Sequence, residues 1–179
     1  GEDGLIITSG SGTSWQTKPT ITTNHLNRVA WMGNHFLAVG DGGTTLTSSD
    51  GGNWSVAALD ATNYLYGAAG TKDSHVAAGN LEVRLSVDGG AWLDQSASTL
   101  AEPAPAWTYY SALWDNDYYL LSGRSGLTVA GGTTNAAEPL KWQPLQDSVR
   151  TWLWSVTRTP THYLAVGDYG TILSSPNGV

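Results

Sequence analysis

The chain has no cysteine, a single methionine and a single phenylalanine among its 179 residues. Without cysteine there are no disulfides, no thiolate metal sites and no cysteine nucleophile. Basic residues are also few: 8 Lys and Arg stand against 15 Asp and Glu, for a net charge of −7. They are scattered, with no Lys/Arg-rich window, so the basic patch that nucleic-acid binding needs is missing. No stretch approaches the ~18 apolar residues of a membrane-crossing helix, so membrane insertion is not expected, and none reads as a signal peptide. The first residue is Gly1 rather than Met, which leads to the expectation that a leader or a longer parent was removed. Good helix formers are scarce, and only 13% of residues are charged.

What remains is 22 glycines, nine tryptophans and eight tyrosines on a background rich in Thr, Ser and Val. This is a β composition punctuated by glycine turns. Disorder is excluded by an apolar content of 40%, since nine tryptophans need something to pack against.

The sequence repeats. Gly40-Asp41-Gly42-Gly43-Thr44-Thr45-Leu46-Thr47-Ser48 lies over Gly1-Glu2-Asp3-Gly4-Leu5-Ile6-Ile7-Thr8-Ser9, and both runs reach a tryptophan at the same offset, Trp54 and Trp15. Gly167 to Ser175 fits the same template, and Gly79 to Ser86 and Gly123 to Ala130 are weaker copies. The units begin near residues 1, 40, 79, 123 and 167, and the last is incomplete. Apolar runs precede the internal glycines: Phe36–Val39, His75–Ala78, Tyr119–Ser122 and Tyr163–Val166. Further upstream, a small residue recurs at Ala30, Gly67, Ser111 and Ser155. In the first complete unit the segments Arg28–Met32, Phe36–Val39, Thr44–Ser48 and Trp54–Ala57 read as short strands parted by Gly, Asn and Asp turns.

Four short strands recurring every ~40–45 residues predict a β-propeller. The expected fold is all-β, a single domain over residues 1–179 with about four blade-equivalents of four antiparallel strands, or part of a larger propeller. A sandwich or jelly roll also has many short strands but leaves the period unexplained. The small column fits the innermost strand, where blades crowd the axis. Ring closure could pair the outer strand Ser14–Lys18 with the last blade. Leu5–Ser9 and Thr171–Ser175 then compete for one place. Either one copy is displaced or the chain is a piece of a larger propeller.

Ser48-Ser49-Asp50-Gly51-Gly52-Asn53-Trp54 and Ser86-Val87-Asp88-Gly89-Gly90-Ala91-Trp92 resemble the Asp-box, the Ser-x-Asp-x-Gly-x-x-Trp turn of sialidase-type propellers, each one residue short before the tryptophan. With the run Val39 to Gly52, the chain resembles the BNR and photosystem II assembly-factor-like propeller repeats. Ser9-Gly10-Ser11-Gly12 and Ser175-Pro176-Asn177-Gly178 lack the Asp. The resemblance implies structural roles for Ser48, Asp50, Gly52, Trp54, Ser86, Asp88, Gly90 and Trp92. An Asp bonds donors of its own turn, Gly supplies positive φ, and Trp plugs between blades. It also implies a secreted or cell-surface protein.

No catalytic residue is assigned. The arginines Arg28, Arg84, Arg124, Arg150 and Arg158 do not form the cluster a sialidase requires, and no two carboxylates stand out as a glycosidase pair. The histidines His35 and His162 share one repeat column, which reads as a hairpin turn, and no HxH or HExxH spacing occurs. No metal and no cofactor is expected. A ligand is expected where the loops between second and third strands meet the inter-blade crossovers. There Asp41, Glu82, Arg124 and Asp168 would form a polar mouth. Trp107 and Trp114, at loop edges, are the candidate exposed rings, while Trp31 and Trp154 read as inter-blade packing. The long Ser96–Trp107 segment reads as a Pro-stiffened crossover or a functional loop. The first functional reading is a non-catalytic extracellular module that recognises carbohydrate or glycoconjugate. The alternative is a protein-interaction scaffold, able to form homo-oligomers through terminal strands. A glycosidase-like enzyme is the third.

Overall fold

The computed structural model describes residues 1–57, 59–87, 91–96, 108–116, 118–124, 126–131, 140–145 and 151–177. The chain opens on a two-stranded sheet of β1 (Ile7–Thr8) and β2 (Gln16–Thr17). Three four-stranded sheets follow. The first holds β3 (Leu26–Trp31), β4 (Phe36–Gly40), β5 (Thr45–Ser48) and β6 (Ser55–Val56). The second holds β7 (Leu65–Gly70), β8 (Ser74–Gly79), β9 (Glu82–Val87) and β10 (Trp92–Asp94). The third holds β11 (Tyr109–Asp115), β12 (Tyr118–Gly123), β13 (Gly126–Gly131) and β14 (Lys141–Pro144). A three-stranded sheet of β15 (Leu153–Arg158), β16 (Tyr163–Gly167) and β17 (Ile172–Ser175) ends the chain.

Each sheet is an antiparallel meander in chain order, which is the propeller blade that the repeat predicts. The described strands thus make three full blades flanked by two partial ones. The two third-strand copies do not compete: β1 pairs with β2, and β17 pairs with β16. Among the described residues no helix is long and apolar enough to cross a membrane.

The register corrects one detail of the repeat. Gly67 lies opposite Ala78, Ser111 opposite Ser122 and Ser155 opposite Val166, but in the first blade the equivalent residue is Arg28, opposite Val39. Ala30 sits two residues further on. The small column is therefore small in three blades only. Arg28 is exposed at this end of β3, so its long side chain is accommodated there.

Strands alternate side chains between faces, and each second strand uses both faces for core. Leu37 and Val39 pack with Leu65, Ala68 and Ala77, between the first and second blades. Val76 and Ala78, on the opposite face of β8, pack with Tyr109, Ala112, Tyr119 and Leu121 of the third. Leu120 then turns the other way, toward Leu153, Val156, Tyr163 and Ala165. The core is a series of inter-blade layers rather than one centre.

The glycines that lead each repeat close the second strands. A Cβ on Gly40, Gly79, Gly123 or Gly167 would overlap the carbonyl oxygen of His25, Tyr64, Thr108 or Trp152 respectively. The backbone of Gly40 is extended, at φ −163°, so the demand is for space and not for a left-handed conformation. Gly79→Ala is expected to destabilise the protein by at least about 2 kcal/mol through overpacking, read as a shifted denaturant midpoint with an unchanged slope.

Tyr119 is fully buried, and its hydroxyl lies 2.7 Å from Ser74 Oγ, tying the second blade to the third. Burial pushes this hydroxyl from 10.0 up to about 12. The folded protein holds the proton more tightly than the unfolded chain. Its stabilising contribution is therefore complete below pH 10 and is lost as pH rises through about 12. An alkaline series of thermal melts should show a loss on the order of 2 kcal/mol across that window, and Tyr119→Phe should flatten it.

Candidate functional site

All four first strands share one irregularity. The register slips between Leu26 and Arg28, Leu65 and Gly67, Tyr109 and Ser111, and Leu153 and Ser155. The residues left unpaired are Asn27, Tyr66, Tyr110 and Trp154. Such bulges re-aim a side chain and are common beside functional sites. The carbonyl two residues before each bulged residue accepts a backbone N–H from the loop after the second strand. His25 O accepts from Asp41 at 2.9 Å, Tyr64 O from Asn80 at 2.8 Å, Thr108 O from Arg124 at 2.9 Å and Trp152 O from Asp168 at 3.0 Å. This pins the crossover loops and the second-to-third-strand loops together on one face, the mouth of the arc.

At that mouth the bulged residues form an aromatic ledge. The Tyr66 and Tyr110 rings lie 5.8 Å apart, and those of Tyr110 and Trp154 lie 4.4 Å apart. Tyr64 stacks on Tyr66 at 6.4 Å, and Trp152 meets Trp154 edge-on at 5.7 Å. A cavity of about 430 Å³ is lined by Asn27, Tyr66, Tyr110 and Trp154. A second, of about 650 Å³, is lined by Thr151, Trp152, Asp168 and Tyr169.

Charged groups flank the ledge. Asn27 Nδ2 donates to Asp41 Oδ1 at 2.9 Å, and Trp154 Nε1 donates to Asp168 Oδ1 at 2.6 Å. The same contact, from bulged residue to the acid after the second strand, thus occurs in two blades. In the third blade Arg124 holds the acid's place, and its guanidinium lies 5.1 Å over the Trp152 ring. Burial raises the Tyr66 hydroxyl, helped by the nearby charge of Asp41. Burial also raises that of Tyr110, with Arg124 opposing and Asp168 adding to the shift.

Asp41, Arg124 and Asp168 stand at the mouth where the sequence places them. Glu82 differs. It is buried, its Oε1 is 2.6 Å from Arg84 Nη2, and its Oε2 accepts from the Asn63 N–H at 3.1 Å. It braces a crossover instead of facing solvent. Trp114 also differs: it lies near the far end of β11, partly buried, with its ring 4.5 Å from Tyr119 in the inter-blade core. Trp107 lies outside the described residues. Trp154, expected as packing, is 44% exposed on the ledge. Tyr64, Tyr66 and Tyr110 were not selected from sequence. For Tyr66 and Tyr110 the signal is the position directly before the small column, hidden by the two-residue offset of the first blade; Tyr64 carries no such signal.

The turn Ser48–Trp54 is built as a closed network. Asp50 Oδ1 accepts from the Gly52 and Asn53 N–H groups, both at 2.8 Å, and Ser48 Oγ accepts from the Gly51 N–H at 2.8 Å. Trp54 Nε1 donates to Gly51 O at 3.0 Å. The donors, Asn53 first, hold the Asp50 carboxyl well below its usual range. In the N-terminal copy Trp15 Nε1 reaches Gly12 O at 3.2 Å, and Ser9 Oγ accepts from the Gly12 N–H at 2.8 Å. In the second blade Ser86 is buried opposite Trp92, whose ring packs 5.2 Å from His75. Asp88 and Gly90 lie outside the described residues. His35 and His162 sit in hairpin turns, their carbonyls accepting from Met32 and Thr159 at 2.8 Å. Among the described residues no three His, Asp or Glu side chains converge as a metal set.

No protein-family model matches the chain, and no curated protein matches it. Among solved structures, YCF48 bound to D1 peptide aligns with a TM-score of 0.65 at 17% identity, over 97% of this chain and 58% of that chain. The fold is that of a β-propeller. This chain spans little more than half the length of the propeller it matches, and at that identity the likeness speaks for fold alone.

One exposed residue beside Trp152 takes a left-handed backbone. Tyr169 has φ 56°, in the left-handed region, and is 99% exposed, whereas the matching residue of the first full blade is Gly42 at φ 60°. The same position is Asp3 at φ 48° and Leu81 at φ 55° in other repeats, so the left-handed turn belongs to the repeat and is the one glycine holds without strain. Tyr169→Gly is expected to stabilise the fold by about 1 kcal/mol, measured as a raised melting temperature.

Proposed function

We propose that this protein is a non-catalytic interaction propeller that binds a peptide segment of a protein partner across the mouth of its inner strands. The observation that carries the reading is the continuous row Tyr64, Tyr66, Tyr110, Trp154 and Trp152, in which repeated bulges turn Tyr66, Tyr110 and Trp154 to the mouth and the rings of Tyr64 and Trp152 extend the row at its ends. Tyrosine and tryptophan offer large contact area at small entropic cost and dominate binding hot spots. The likeness to YCF48, whose structure holds D1 peptide, adds support at the level of fold. Carbohydrate recognition is the second reading, favoured by the half-exposed rings of Trp152 and Trp154 beside Asp168. Kinship with Asp-box propellers, supported by the bonded turn Ser48–Trp54, and a secreted or cell-surface location belong to the same proposal.

Peptides selected by display against the whole chain test it. Their affinity should fall about tenfold or more in Trp152→Ala, as truncation of a hot-spot aromatic does, with the melting temperature kept. Peptides that bind the variant as well as the parent would place the site elsewhere. A tryptophan-emission shift with a sugar panel, and none with peptides, would replace this reading with the carbohydrate one.

A further inference from the structure

The ledge carries a chemical preference that deepens the peptide reading and rests on it. Its rings present π faces, and π faces attract cations. Carboxylates stand at both ends of the row: Asp41 beside Asn27 and Tyr66, and Asp168 beside Trp154 and Tyr110. Each spends Oδ1 on the bulged residue of its own blade, and among the described residues no hydrogen bond engages either Oδ2. The third acid of the expected mouth, Glu82, is already neutralised by Arg84. A basic group at the mouth, Arg124, shows what the ledge accepts: its guanidinium rests over Trp152 at 5.1 Å. The cavity of about 430 Å³ between Asn27, Tyr66, Tyr110 and Trp154 offers the next ring faces along the row. The whole chain, at −7, would also draw a basic segment toward it.

We infer that the mouth recognises a cationic side chain of the partner, arginine before lysine, with its guanidinium on the Tyr66–Tyr110–Trp154 faces and its N–H groups directed to Asp41 and Asp168. Arginine is preferred because its planar group stacks on rings and bonds a carboxylate through a fork of donors, which an ammonium cannot do.

The test uses the full chain and short capped peptides of equal length that differ in one central pair: Arg, Lys, Gln or Glu. Binding is followed by tryptophan emission. The Arg peptide should bind most tightly, about tenfold above Gln, and should weaken as salt rises. Asp41→Asn with Asp168→Asn keeps an Oδ1 acceptor for Asn27 and Trp154 and should remove most of that margin. Tyr110→Leu, which keeps an apolar filler, should cut the Arg peptide more than the Gln peptide. Equal affinity for all four, or a preference for Glu, would overturn the inference while leaving the peptide site in place. No binding by any peptide, with display selection also empty, would overturn both. An Arg preference unchanged in the double Asn variant and in Tyr110→Leu would show that another acidic surface is responsible, and would overturn the assignment to the ledge.

Discussion

The contact between a carbonyl oxygen and the bare Cα of the repeat's leading glycine organises this fold. At Gly40, Gly79, Gly123 and Gly167 the second strand passes so close to the start of the first that any side chain would strike a backbone oxygen. The same oxygen accepts the N–H of the residue after the glycine. A buried polar group is costly unless bonded, so the close approach and the hydrogen bond enforce each other. In every blade the first strand bulges two residues after this carbonyl. One steric fact therefore sets strand register, loop position and the aim of four side chains.

Blade packing follows from that register. Because successive side chains of a strand point to opposite faces, a second strand in a fixed register faces one neighbouring blade with one set and the other blade with the next. That is why Ala77 looks back to the first full blade while Val76 and Ala78 look forward to the third. Stability is then distributed over successive interfaces, as in other repeat folds. The middle interface carries the bulkiest groups, including Tyr119, Tyr109 and Trp142. In the first full blade and the last one the inner strands keep exposed residues, Val29 on β3 and the bulged Trp154 on β15.

Much of this was legible in the sequence because repetition averages out local ambiguity. Four aligned glycines with apolar runs before them gave the blade, the strand count and the face bearing Asp41, Arg124 and Asp168. Strand bounds came within two residues, as at Leu26–Trp31 against Arg28–Met32. What failed was whatever depends on a single inserted residue. A bulge has no composition of its own, so the first blade was aligned two residues out, and the column Asn27, Tyr66, Tyr110 and Trp154 was not seen as one. Trp114 was misplaced for a related reason: it looks like a loop edge beside Asp115 and Asn116, but β11 continues through it. Glu82 looked like a solvent acid because its partners, Arg84 two residues on and the Asn63 N–H, converge on it only in the folded blade.

The division of labour within each repeat explains how such a fold can acquire a site without losing stability. Positions that set the backbone tolerate little change: glycine ends every second strand from the first full blade onward. The bulged position carries a different side chain from blade to blade: Asn, Tyr, Tyr, Trp. The same holds one loop away, where Asp41, Asn80, Arg124 and Asp168 occupy one column with different charges. Variation in these two adjacent columns on one face can change the surface without touching the core. Tyr169 carries this furthest. It keeps the left-handed turn that Gly42, Asp3 and Leu81 also make, yet adds an exposed ring beside Trp152.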